Sequence, residues 1–310
     1  MKLLFIGDIH SRPTNPRNRK DNYAEALRAK LLECWEIAKT YDVAAVIQPG
    51  DIFHTPETTI RNLLDMVDIL KKCPVTFYTT PGNHDLFGYS LESFPRTSLH
   101  LLDLLCDNVH VSLDKFPAYG LDAIVDFRPY VPDIDSNREH YQIKKALKIL
   151  VIHGMLLDHN LPYEARYTNL YHLETNADII LSGHDHIGYG VIKRKDSKLF
   201  VNPGALMRLT ASEAEMRRPV QVAVIDTETR TAELVPLKTA RPAEEVLDRS
   251  KLEAKQERIY AMEEFAALIK TSQGATLQNL DEIVTTIGKQ EAVSDEIVQK
   301  AVELLREVKT

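Results

Sequence analysis

Apolar residues along this chain gather in short unbroken runs, separated by stretches in which they recur every three or four positions. KLLFIG (2–7), VAAVIQPGD (43–51), VTFYTTPGNHD (75–85), DAIVDFRPYV (122–131), LKILVIHG (147–154), ADIILSGHDH (177–186), KLFVNPG (198–204) and VQVAVID (220–226) each open as such a run. Their apolar parts are too short for buried helices, so each predicts a strand covered on both faces. TAELVPL (231–237) predicts an edge strand. Between the first two runs, residues 22–40 hold Ala26, Leu27, Leu31, Cys34, Ile37 and Ala38 near helical spacing, and residues 57–72 predict a second helix. Alternating strands and helices imply βαβ units and a sheet with helices on its faces. Past residue 240 the strand pattern stops. Charged amphipathic stretches there predict helices over 242–271, 276–289 and 294–309. The last has Ile297, Ala301, Leu304, Leu305 and Val308 on one face, behind Ser294 as a cap. The break divides the chain into 1–239 and a helical extension, 240–310.

The runs end in a polar signature. GDIH (7–10), PGDIFH (49–54), PGNHD (81–85), IHG (152–154) and GHDH (183–186) each follow an apolar stretch. In open α/β sheets the carboxyl ends of the strands form the ligand crevice. Such a crevice would gather Asp8, His10, Asp51, Asn83, His153, His184 and His186. In extended backbone, residues i and i+2 point the same way, so His184 and His186 face together and Asp185 faces away. Carboxylate, amide and imidazole suit Mn2+, Fe or Zn2+ better than Ca2+, and the set lacks the thiolates of a structural zinc site. Seven ligands exceed the needs of one ion; with a shared carboxylate they suit two, about 3.5–4 Å apart. Any one of these motifs could be an ordinary turn. Five of them after five strands make a pattern.

Composition narrows the partners. A net charge of −7 over 310 residues excludes a bulk polycation. No run approaches the roughly 20 apolar residues of a membrane helix. Cys34, Cys73 and Cys106 form no CxxC pair, which predicts reduced thiols in the cytoplasm. A local basic patch does occur. SRPTNPRNRKDNY (11–23) carries Arg12, Arg17, Arg19 and Lys20 beside Asp8 and His10, a group suited to gripping phosphates without sequence choice or to forming an ordinary solvated face. Phe87, Tyr89 and Phe94, just after GNHD, are open between packing in the core and walling the site.

The order DxH, GD, GNHD, H, GHxH resembles the calcineurin-like metallophosphoesterase superfamily over roughly residues 1–235. The resemblance implies an α/β four-layer sandwich, two mixed β-sheets flanked by helices, here with the C-terminal helical extension. By position, Asp8, His10 and His186 would hold one divalent ion and Asn83, His153 and His184 the other. Asp51 would bridge them. Manganese is the expected metal, with iron or zinc as alternatives. His84 would stabilise or protonate the leaving oxygen, and Asp85 would orient His84. GDIFH further resembles the SbcD-type DNA repair nucleases, in which the added histidine, here His54, lies close to the metals. That implies a DNA exonuclease or endonuclease subunit, partnered through its tail with an SbcC-like coiled-coil ATPase, and a homodimer through helices near 57–72 and 90–105. The sequence departs from the pattern in four places. The loop after DxH is long, as in SbcD-like proteins of some phages and their hosts. The capping region is very short or missing, Ala205 stands where serine is usual, and Asp185 stands where threonine is. Two other readings stay open: a phosphodiesterase or phosphatase for nucleotides or other small phosphoesters, and a non-enzymatic partner-binding subunit stabilised by metal. A proton donor beside the metals argues against the last.

Overall fold

In the computed structural model the apolar runs are strands whose residues alternate between separate cores. The structure describes residues 1–113, 120–250, 258–260, 262, 284–285, 288 and 293–307. The first sheet contains β1 (Lys2–Phe5), β2 (Ala45–Ile47), β3 (Phe77–Thr79) and β4 (Val109–Val111). The second contains β5 (Asp126–Arg128), β6 (Ile149–Ile152), β9 (Ile179–Ser182), β10 (Gly190–Lys193) and β11 (Leu199–Asn202). A two-stranded ladder, β7 (Leu156–Leu157) with β8 (Thr168–Asn169), lies between β6 and β9 in the chain. β12 (Gln221–Asp226) and β13 (Thr231–Pro236) return to the first sheet, giving the order β13-β12-β1-β2-β3-β4 with β13 at its edge. There β1 to β4 are parallel, and β12 pairs antiparallel with β1 on one side and β13 on the other. The second sheet runs β10-β11-β9-β6-β5, and β10 alone is antiparallel.

Period-two alternation explains why the runs are continuous. In β1, Leu4 faces the outer core, while Leu3 and Phe5 face the space between the sheets. Ala45 and Ile47 also point between the sheets, where they meet Ile149, Val151, Ile179, Leu181, Leu199 and Val201. Both faces of every central strand are therefore buried. On the outer face of the first sheet lie α1 (Tyr23–Thr40), α2 (Ile60–Leu70) and α3 (Ser98–Leu105). Their N-termini are capped by Asn22, Thr59 and Thr97 respectively. On the outer face of the second, Leu150, Ile152, Ile180 and Phe200 are covered by Tyr141 of a short 3-10 helix (Arg138–Tyr141) and by Leu170 and Leu173. These layers make the expected α/β sandwich of two mixed sheets.

The chain divides into two units, Met1–Leu247 and Asp248–Thr310. The first runs past the compositional break, because Ala243, Val246 and Leu247 are buried with Met216 packed against them. The helix expected from 242 is short here, Ala243–Val246, and ends where Leu247 turns extended. In the second unit, the helix Asp295–Glu307 lies within the expected 294–309 and buries Val298 against Val284. Most of 276–289 and most of 242–271 fall outside the described residues, and Val284, Thr285 and Gly288, which are described, are helical. No helix among the described residues is long and apolar enough to cross a membrane.

Candidate metal centre

The carboxyl ends of β1, β2, β3, β6 and β9 meet at one place, and the expected ligands leave the strands there. Three of them do so in a conformation that residues with a Cβ seldom adopt. His10 has φ 50°, Asp51 φ 59° and His184 φ 72°. Each costs of order 1 kcal/mol, and such strain gathers where side chains must converge. Gly50 (φ +124°) is required: a Cβ there would sit 2.6 Å from His153 Nδ1.

The expected ligands form two clusters that share Asp51, and His10, His54 and His84 form a third group beside them. Asp8, His10, Asp51 and His186 make the first, and Asp51, His153 and His184 the second, the ligand atoms of each lying within 4.8 Å of one another. His10 Nε2 and His186 Nε2 are 3.0 Å apart. Asp51 Oδ2 is 3.5 Å from His10 Nε2 and 3.4 Å from His153 Nε2, and Asp8 Oδ2 is 3.4 Å from His186 Nε2. Asn83 Oδ1 joins the second cluster, 2.9 Å from His153 Nε2. The His153 Nδ1–H donates to the Pro49 carbonyl (3.1 Å), which fixes the ring and aims Nε2 inward.

These residues fit divalent cations, on an observation of their own. Asp8 Oδ1, Asp51 Oδ2 and His184 Nδ1 are buried with no hydrogen-bond partner among the described residues. Buried carboxylate oxygens without donors are costly, and a cation satisfies them. Asp51 Oδ1 accepts the backbone N–H of His84 (2.8 Å), so Oδ2 is the oxygen left to face both clusters. Burial opposes charging His153, but Asp51 and Asp8 outweigh it and push the ring up to about 9. His10 goes the other way, to about 3, because burial dominates there.

Beside the clusters stands His84, whose Nδ1–H donates to the His54 carbonyl (2.8 Å). The His54 ring stacks on it, centroids 5.1 Å apart and planes 20° from parallel. Burial and the Arg12 charge push His54 down to about 4, so it is neutral at neutral pH. Asp85 departs from expectation. Its buried carboxylate accepts from the backbone N–H of Asp51 (2.7 Å), Ile52 (3.3 Å), Phe53 (3.0 Å) and Gly82 (3.0 Å). It pins the loop of Asp51 to the turn of Asn83, and the His54 carbonyl does the orienting of His84.

The basic loop splits. Arg12 is half-buried near His54, and Arg17 is exposed. Arg19 is buried, its guanidinium gripping both Asp21 oxygens at 2.7 Å and donating to the Arg208 carbonyl (3.3 Å). The expected DNA contact by Arg19 is therefore replaced by a structural ion pair. Lys20 is also engaged, its Nζ donating to the Glu244 carbonyl (3.1 Å) and its backbone N–H to Val246. Of the aromatic residues left open, Phe94 is core, 5% exposed, whereas Phe87 and Tyr89 are 38% and 52% exposed. Sequence reasoning passed over Tyr130, whose ring lies 5.7 Å from that of His184. A signal existed: Tyr130 follows β5, a sixth strand end beside the five that carry ligands.

Comparison with known proteins agrees with this geometry. The family profile described as calcineurin-like phosphoesterase matches residues 1–188. The chain is 24% identical over 235 residues to the DNA double-strand break repair protein Mre11 of Methanosarcina mazei. That match covers 70% of this chain and 35% of the relative, so the chain spans about a third of the relative's length. Similar solved structures include a Thermus thermophilus protein (TM-score 0.47, 13% identity, 76% of this chain and 98% of that one). An archaeal phosphodiesterase is similar at TM-score 0.40 and 15% identity, covering 76% of this chain and all of that one.

Proposed function

The chain belongs to the calcineurin-like phosphoesterases, metal-dependent enzymes with a dinuclear site, and from that premise we propose that it hydrolyses phosphodiester bonds in DNA. The observation that carries the hydrolytic part is Asp51 Oδ2, buried, without a hydrogen bond and common to two ligand clusters. Asp8, His10 and His186 would hold one cation, and Asn83, His153 and His184 the other. Manganese is the metal proposed. Bound there, the cations would neutralise charge on the phosphate and make water a nucleophile at neutral pH. His84 supplies the proton for the leaving oxygen. With Nδ1–H held by the His54 carbonyl, Nε2 is the free position, and the carbonyl stabilises the ring while it is cationic. Stacked His54 covers one face of that ring. Asp85 keeps Asp51 and the His84 turn in register.

DNA as substrate is supported by the Mre11 similarity and by Arg12, half-buried near His54, with Arg17 exposed on the same loop, which could take phosphates beyond the scissile one. Two partners belong to the same reading. An SbcC-like ATPase would dock on residues 248–310. A second copy would cover Ile60, Leu64, Leu101, Leu104 and Leu105, large apolar residues exposed on α2 and α3. A partner that consumes ATP would put this work inside the cell.

The test measures cleavage of a DNA strand and of a small chromogenic phosphodiester, after metal removal and after adding back manganese, at two salt concentrations. Both activities should return with manganese. DNA cleavage should then fall about tenfold on a fourfold rise in salt, the slope expected for two neutralised phosphates, while the small ester is unaffected. Equal salt sensitivity of both substrates would remove the argument for DNA.

A further inference from the structure

Phosphate chemistry leaves Tyr89 and Tyr130 without a task. The Tyr130 N–H donates to the Pro81 carbonyl (2.8 Å), tying it to the turn that carries Asn83 and His84. Its ring lies 5.7 Å from that of His184 and 6.1 Å from that of His153, so it forms a wall of the second cluster. Tyr89 stands 5.7 Å from Tyr130, their planes at 60°. Two rings at that angle form a corner. A flat group can lie on one face with its edge toward the other.

The backbone is strained to present this corner. Gly88 (φ 56°) and Tyr89 (φ 60°) are both left-handed, a costly conformation for tyrosine. The result is a large ring held 52% exposed, when Phe94 of the same segment reaches the core. Strain that keeps an aromatic ring out of the core, beside a cluster of metal ligands, marks a ligand clamp. In a nucleotide the base lies one sugar from its phosphate, the order of distance separating Tyr130 from the imidazoles. Every base has a π-face, so an aromatic corner accepts any of them.

We infer that the Tyr89–Tyr130 corner stacks the nucleobase of the nucleotide whose phosphate is bound at the metal centre. Both faces of a base inside a duplex are covered by its neighbours. The corner therefore takes a base at an end, a gap or in a single strand. This rests on the phosphodiester reading above and adds the state of the substrate.

The experiment measures binding of thymidine 5′-monophosphate and of 1,2-dideoxyribose 5-phosphate, the same nucleotide without its base, by calorimetry on the full chain with manganese. The nucleotide should bind about tenfold more tightly, the low to middle range of base–aromatic stacking. Tyr89→Ala and Tyr130→Ala should each reduce that preference to about twofold or less, and Tyr89→Phe and Tyr130→Phe should retain it, since the ring and not the hydroxyl carries the contact. Equal affinity of the wild type for both ligands, or a preference that survives in the alanine variants, overturns the inference. Binding of the abasic ligand reports on folding of each variant. The same preparations are tested on a single-stranded oligonucleotide. No cleavage with the base preference intact would end the DNA reading and leave the corner standing; cleavage without base preference would end the corner alone.

Discussion

His84 sits in a group of imidazoles, and what distinguishes it is the partner of its Nδ1. A carbonyl can only accept, so the proton on Nδ1 is assigned by the His54 contact, and Nε2 is available to a substrate. His84→Ala should lower kcat by about 10²–10⁴, the range for loss of a general acid, while manganese content by elemental analysis stays at the wild-type level. Asp51→Asn should instead lose metal, because the shared oxygen no longer carries charge. Activity near wild type in His84→Ala would end this assignment. Much of the centre was legible at residue scale, since strand ends announce carboxylates and histidines. Asp85 was not, because its partners are the backbone of residues 51–53 and 82, and sequence spacing says nothing about which N–H groups meet there. Lys30 is a second such case. It sits on the apolar face of α1, 3% exposed, its Nζ donating to the Leu206 carbonyl (3.2 Å). Burial, with the charges of Arg19, Arg208 and Arg218, pushes it down from 10.5 to about 7. Below about 7 both the folded and unfolded chains carry the proton, and the burial penalty is complete. Between about 7 and 10.5 only the unfolded chain keeps it, so stability from this group rises with pH. Lys30→Met should therefore melt above the wild type near pH 7 by a few degrees, and the gap should close toward pH 10. A gap that is flat with pH would mean Lys30 keeps its proton in the folded chain across the whole range.

The loop between β1 and α1 shows how an element can be misjudged by its charge. Four cations within residues 12–20 suggested one phosphate-gripping surface, yet Asp21 lies just beyond and claims Arg19. On the proposed reading the loop has two jobs, and substitution separates them. Arg12→Gln with Arg17→Gln should leave the melting temperature unchanged and reduce DNA cleavage at low salt about tenfold, as loss of two phosphate contacts predicts. Arg19→Gln should act on stability, because it leaves Asp21 without its guanidinium in a half-buried place. A cost of about 3 kcal/mol is typical for breaking such a pair, roughly ten degrees in a domain of this size. Equal effects of the two changes on cleavage, at temperatures where both proteins are folded, would return Arg19 to the binding surface. Strands were legible as elements wherever an unbroken apolar run marks them. β4 and β10 were not: VHV and GVIK are too short, and too mixed in polarity, to stand out from their surroundings.

At the scale of the molecule, the sandwich follows from alternation, but the end of its first unit does not follow from composition. The pattern changes near residue 240, while the compact unit continues to Leu247. The extra residues are held by specific contacts. Lys20 donates from its backbone to Val246 and from its side chain to Glu244, and Ala243, Val246 and Leu247 are buried. Thr239, just before them, is tied to α1 through Glu33, whose carboxylate accepts from its N–H (2.8 Å) and hydroxyl (2.6 Å). A chain ending at Leu247 should therefore melt as cooperatively as the first unit of the full chain and keep manganese-dependent hydrolysis of a small phosphodiester. A chain ending at Thr239 removes the burial of Val246 and Leu247, about 1.5–3 kcal/mol for each side chain. At roughly 2–4 °C per kcal/mol, its melting temperature should fall by about ten degrees or more. The same pair isolates the task of residues 248–310. If they dock a coiled-coil ATPase, the Leu247 chain loses capture of that partner and ATP-stimulated DNA cleavage, with basal hydrolysis intact. Loss of basal hydrolysis in a Leu247 chain that melts normally would show instead that the second unit completes the hydrolytic site. Equal melting of the two shortened chains would move the boundary back to the compositional break.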